Sequence, residues 1–160
     1  MKKNETRPQP EHYGEATVPA FGYELIRSLL IPELLGKETA SILYWSGRKL
    51  ARQYPLENEQ QVIDFFDRAG WGTLSLISKT KNKMTFECSS PLIASRIHDY
   101  PDSGSFSLEA GFIAEQIQRQ TGYVAESYME TKNGKQKKVV YSVKWDAKDP
   151  IASVTRSAAN

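Results

Sequence analysis

Few side chains in these 160 residues stand at spacings that chemistry could use. Ser46-Gly47-Arg48-Lys49 has the Ser-x-x-Lys spacing of serine-lysine acylases, where the serine is the nucleophile. The pattern around it is mid-helical, and no Ser-Asp-Asn or Lys-Thr-Gly partner exists, so it reads as helix surface. General acid–base work needs two groups brought together. Asp64, Asp67, Glu109, Glu115, Glu126 and Glu130 are scattered, and most are expected to face solvent. The two histidines and the single cysteine supply no set of metal ligands. His12 lies in a polar start, His98 follows a short helix as a surface residue, and Cys88 sits in a strand. Lys132-Asn133-Gly134-Lys135-Gln136-Lys137-Lys138 could touch phosphates or anionic headgroups. No arginine or exposed aromatic stripe accompanies these lysines, so a solvated turn that guards strand edges is expected. We assign no catalytic, cofactor-binding or metal residue, and expect no cofactor and no nucleic-acid partner.

The elements that would position any site are clearer. Residues 18–31 read as a helix with Phe21, Leu25 and Leu29 on one face, widened by Gly22, Ile26 and Leu30. Pro32 is expected to stop it. Residues 38–54 carry a stripe of Leu43, Gly47, Leu50, Ala51 and Tyr54. Asn58 and Gln61 have capping-box spacing ahead of Val62, Phe65, Phe66 and Ala69, and Gly70 is a natural left-handed stop. Residues 71–78 and 83–88 alternate as a hairpin around a turn at 80–82, with Met84, Phe86 and Cys88 on one face. Ser90 before Pro91 caps a short helix over 91–98. A second hairpin, 123–131 and 135–145, surrounds Asn133-Gly134, with a type I′ turn expected and Val139, Tyr141, Val143 and Trp145 sharing a face.

Between the hairpins, residues 105–121 form a helix that is apolar on two sides. Phe106, Ala110, Ile113 and Ile117 occupy one face, and Leu108 and Phe112 lie nearly opposite. Such a helix must be covered twice, by the sheet and then by other helices or a second copy. Trp45 stands about 160–200° from its own helix's stripe. It packs on a neighbouring helix or belongs to a dimer contact or pocket wall. Trp45, Leu108 and Phe112 are the candidate dimer interface.

Length and composition suit one domain with a real core, 39% hydrophobic and 25% charged. We expect a polar tail at 1–16, a domain at 17–146 and a second tail at 147–160. A net charge of +2 implies no polyanionic partner. One cysteine allows no internal disulfide, and a reducing, cytoplasmic location is expected. No apolar run follows the basic start, so no secretory signal is expected, and no stretch nears the roughly 20 residues of a membrane span.

The order of these parts resembles a known family. Three N-terminal helices, a hairpin opened by Gly70-Trp71-Gly72, a helix bearing Gly111, then a strand with Glu126 and a closing hairpin are similar to the 4-vinyl reductase type domain. That domain shares its fold with small TRAPP trafficking subunits and haem nitric-oxide sensors. Within this group the chain resembles the YslB family of bacilli, whose function is unknown. The resemblance covers roughly residues 21–145. It implies cysteines before the last helix and in the final hairpin, but those regions read Ser103-Gly104-Ser105-Phe106 and Glu126-Ser127-Tyr128-Met129. Glu126 resembles a glutamate of the related domains, but a structural role, pairing with a lysine across the hairpin, is the expected one. The trafficking subunits enclose an apolar cavity, and one of them is acylated on a cysteine. Cys88 lies on a different element, and neither histidine is placed as an axial haem ligand.

The sequence therefore predicts an α+β domain, a four-stranded antiparallel sheet packed with about four to five helices. The expected function is a non-enzymatic homodimeric module that binds a small apolar ligand or a protein partner. The alternative is an enzyme or accessory protein acting on a hydrophobic, tetrapyrrole-like substrate. Leu43, Tyr44, Phe86, Phe106, Ile113 and Tyr141 would wall an apolar pocket, or would simply fill the core.

Overall fold

The computed structural model describes residues 7–102 and 104–152. Four strands form one antiparallel sheet: β1 (Thr73–Lys79), β2 (Lys83–Ser89), β3 (Tyr123–Asn133) and β4 (Lys137–Pro150). Their order is β1-β2-β4-β3, so the two hairpins lie side by side with β2 against β4. The alternation that predicts the strands also fixes the inner face. Met84 stands opposite Val143, Phe86 opposite Tyr141 and Cys88 opposite Val139, and all six are buried. These cross-strand pairs seed the core.

The helices follow the expected order. Helix α1 (Ala20–Glu24), a π-helical stretch (Leu25–Leu30) and α2 (Ile31–Leu35) run on as one N-terminal helix. Helix α3 (Thr39–Gln53) and α4 (Glu59–Arg68) come next, then α5 (Pro91–Asp99) and α6 (Ser107–Thr121) between the hairpins. Asn58 caps α4 by accepting from the Gln61 N–H at 3.0 Å, and Ser90 caps α5 by accepting from the Ile93 N–H at 3.0 Å. Helix α6 lies between the sheet and α3. Its crossing with α3 is tight because glycines face the partner backbone. A Cβ on Gly47 would sit 2.0 Å from the Leu108 carbonyl oxygen, and one on Gly111 would sit 1.8 Å from that of Tyr44.

Four expectations need correction. Phe112 is not at a dimer interface. It is 0% exposed, stacked on Phe65 at 4.6 Å and edge-on to Trp71 at 5.2 Å. The second side of α6 is covered by α3 at the glycine crossing and by the rings of Phe65, Phe66 and Trp71, which enclose Phe112 within one protomer. Pro32 does not end its helix. The preceding π turn moves the bonding to i−5, so the Ile31 N–H donates to the Ile26 carbonyl, and the chain enters α2 with Pro32 in the first turn, where a missing donor costs least. The closing hairpin forms at Asn133-Gly134, but not through a type I′ turn. Asn133 pairs with Lys137, leaving Gly134, Lys135 and Gln136 as a three-residue loop, and neither Asn133 nor Gly134 has a positive φ. Glu109 and Glu115 do not face solvent; both are buried in ion pairs.

The ends of the domain are also drawn differently. Strand β4 continues past Asp146 to Pro150, and the Ile151 N–H donates to the Gly122 carbonyl at 3.0 Å. At the other end Arg7 donates to the Gln53 carbonyl, the Tyr54 hydroxyl donates to the Pro8 carbonyl at 2.6 Å, and Arg68 meets Glu11 at 3.0 Å. The remaining expected tail residues, 1–6 and 153–160, lie outside the described residues, as does Ser103.

Candidate functional site

The residues first singled out for chemistry do not converge. Ser46 and Lys49 are exposed on α3. His98 is exposed, with Nδ1 2.8 Å from Asp99 Oδ1. Glu126 is exposed opposite Lys144, and its carboxylate accepts from the Tyr128 hydroxyl at 3.3 Å. Lys132 and Lys138 meet Glu130 and Glu87 at 2.9 and 2.8 Å. Cys88 is buried, and burial first, then the nearby Glu109 charge, pushes its thiol up to about 12. It is therefore protonated at neutral pH and a poor nucleophile. Among the described residues, no group of three or more His, Cys, Asp or Glu side chains could hold a metal ion.

Of the six candidate pocket residues, Phe86, Phe106, Ile113 and Tyr141 belong to one buried cluster. Tyr44 packs at its edge, where its hydroxyl accepts from the Ser127 N–H at 3.2 Å. Leu43 is buried on α3 but is not a member of that cluster. Of the candidate interface, Leu108 is half-buried and Trp45 is 63% exposed. Trp45 is not buried against a neighbouring helix. Its ring lies edge-on to Tyr44 at 5.7 Å, with the Arg48 guanidinium 5.6 Å from its centre.

A row of buried ion pairs emerges instead. Glu109 and Glu115 project from α6 to arginines on two different helices. Glu109 pairs with Arg27 of the N-terminal helix, which also donates to the Ser105 carbonyl at 3.2 Å and to the Tyr23 hydroxyl at 2.9 Å. Burial works against the Arg27 charge, but Glu109 and Tyr23 beside it hold the guanidinium above its ordinary range. Glu115 meets Arg48 at 3.0 Å and Arg52 at 2.8 Å, both on α3, and Arg48 also donates to the Ala125 carbonyl of β3. A third pair joins Arg96 of α5 to Glu24. Burial raises the Glu24 carboxyl, but hydrogen bonds from Arg96 and Ser28 outweigh it and leave the group below its usual range. Each carboxylate is thus already engaged by a cation. The arrangement orients helices; it does not offer a free acid and base to a substrate.

These pairs decide which way the N-terminal helix faces. Its buried members are Arg27 and Ser28, with Tyr23 and Glu24 half-buried beside them. The apolar face points outward. Phe21 is 75% exposed and Leu34 72%, and Leu25, Ile26, Leu29 and Leu30 are all exposed between them. The periodicity predicts this face correctly but not its direction. The signal for the direction was Arg27 and Ser28, the polar residues opposite the face, matched to Glu109 on a helix left with little room for solvent.

This architecture is similar to that of a vinyl-4-reductase family protein. The crystal structure of such a protein from Methanocaldococcus jannaschii, at 1.90 Å resolution, matches with a TM-score of 0.61 and 18% identity, over 86% of this chain and 88% of that one. A likeness at that identity concerns the fold. The chain belongs to the family described as Protein of unknown function (DUF2507), which matches residues 20–144. It is also 45% identical over 137 residues to the "Uncharacterized protein YslB" of Bacillus subtilis (strain 168), covering 86% of this chain and 91% of that protein. None of the helices among the described residues is long and apolar enough to cross a membrane.

Proposed function

We propose that the protein is a non-enzymatic interaction module that works as a homodimer. The carrying observation is the outward apolar face of the N-terminal helix, held outward by the buried pair Arg27–Glu109 and the partly buried pair Arg96–Glu24. Large apolar side chains left in water on one helix mark a surface that another molecule covers. An enzymatic reading is not favoured. It needs a polar pair open to a substrate, and the buried carboxylates Glu109 and Glu115 are bound to arginines while the Cys88 thiol is protonated. Most soluble oligomers are homo-oligomers, and two-fold dimers are the commonest, which favours a second copy as the covering molecule. Sedimentation equilibrium of the full chain tests the reading. A dimer at micromolar concentration is expected; a monomer that persists to high concentration would overturn it.

A further inference from the structure

We infer that two copies meet through their N-terminal helices, antiparallel, with Ile26 at the two-fold axis. The inference rests on the homodimer reading and adds the surface and its geometry. The face is formed by Phe21, Leu25, Ile26, Leu29, Leu30 and Leu34. Together with Val18 these side chains leave on the order of 700 Å² exposed, above the roughly 300–600 Å² of a monomer's largest patch and near the ~800 Å² per partner of a standard interface. The π-helical stretch at its centre widens the helix there and presents Leu25, Ile26, Leu29 and Leu30 as one broad strip.

Charge selects the occupant. An interfacial membrane helix carries lysine and arginine beside its apolar face. Here Glu24, Arg96 and Asp99 line a groove with Phe21, Leu25 and Leu29, Arg96 is neutralised by Glu24, and the one arginine of the helix is turned inward onto Glu109. A protein surface therefore fits better than an anionic bilayer. An antiparallel register about Ile26 sets Leu30 of one copy against Gly22 of the other, each four residues from the axis. A side chain added at Gly22 would meet nothing within 4 Å in its own protomer, so this position leaves room for the incoming leucine.

The full chain with Ile26→Cys tests this directly, because Cys88 is buried and does not compete in oxidation. Mild oxidation is expected to link nearly all of the protein into a disulfide dimer, while Trp45→Cys stays unlinked. Ile26→Asp is expected to give a monomer with an unchanged far-ultraviolet circular dichroism spectrum, since the side chain is solvent-facing in the protomer. A wild-type dimer that survives Ile26→Asp but dissociates in Trp45→Asp would overturn this geometry and leave the homodimer standing. A wild-type monomer would overturn both. A monomer that binds phosphatidylglycerol vesicles, and loses them in Ile26→Asp, would assign the face to a membrane and overturn the inference.

Discussion

Cys88 and Tyr141 share the inner face of β2 and β4, and both are covered by the helices above them. Burial raises the thiol to about 12 and lifts the phenol of Tyr141 well above its ordinary value, with the Glu109 charge acting the same way on each. An unfolded thiol titrates near 8.5. Between about pH 8.5 and 12 the unfolded chain therefore releases a proton that the native chain keeps, and stability falls as pH rises. Below that window the contribution is fully present. The urea midpoint should be level from pH 7 to 8 and decline steadily above about 9, and Cys88→Ala should flatten the first part of the decline. A wild-type midpoint level to pH 11 would show that the thiol titrates as if exposed. At this scale the sequence hid the buried ions. A glutamate on a helix surface and one paired inside are the same letter, and only the partner's position separates them. Glu109 and Glu115 were nonetheless constrained, because α6 has apolar residues on two flanks and little arc left for water. Cys88, Phe86 and Tyr141 were legible from strand alternation alone.

Helix α6 is positioned by its glycine contact with α3 more than by any single apolar pair. In an isolated helix, Gly→Ala stabilises by about 1 kcal/mol through propensity. Gly111→Ala should do the reverse here, because the added carbon lands on the Tyr44 backbone carbonyl, which cannot step aside as a side-chain tip could. The expected cost is roughly 1–3 kcal/mol, with α3 displaced from α6. Urea denaturation checks the magnitude, and a neutral or stabilised variant would show that the helices stand further apart. Such contacts leave a faint trace in sequence. Gly47 falls within the α3 stripe, yet nothing in one chain says that Gly111 is its counterpart. The N-terminal helix shows a related limit. Its face was legible at Phe21, Leu25 and Leu29, but a face is a relative direction, and what turned it outward was an ion pair to a residue far along the chain. Pro32 misleads for a local reason, since a proline after a π turn sits where a helix can accept it. Asn133-Gly134 marks the hairpin but not its loop, because strand pairing down to Lys137 sets the loop length.

Across the whole molecule the question is whether the space between helices and sheet is a chamber or a packed interior. Phe86, Phe106, Ile113 and Tyr141 come from β2, the start of α6, its middle and β4, and all are in one buried cluster with Phe66, Phe112 and Ile117. Aromatic rings reach into it from three directions. Phe65 and Phe66 enter from α4, Trp71 from the approach to β1, and Phe112 from α6, with centroid separations of 4.6 to 6.3 Å among them. Rings this close to one another are in direct contact, as in a close-packed core. A ligand that binds only the native state raises its stability by RT ln(1 + [L]/Kd), so a chamber would announce itself in melting temperature. A medium-chain fatty acid at saturating concentration should leave the melting temperature unchanged. Ile113→Phe, which adds volume at a residue 0% exposed, should lower stability by roughly 1–3 kcal/mol because no void receives the larger ring. If instead the fatty acid raises the melting temperature of the wild type and Ile113→Phe abolishes the shift without lowering stability, the interior is hollow. The module then binds inside as well as at its surface, and the outward helix would be a second site rather than the principal one.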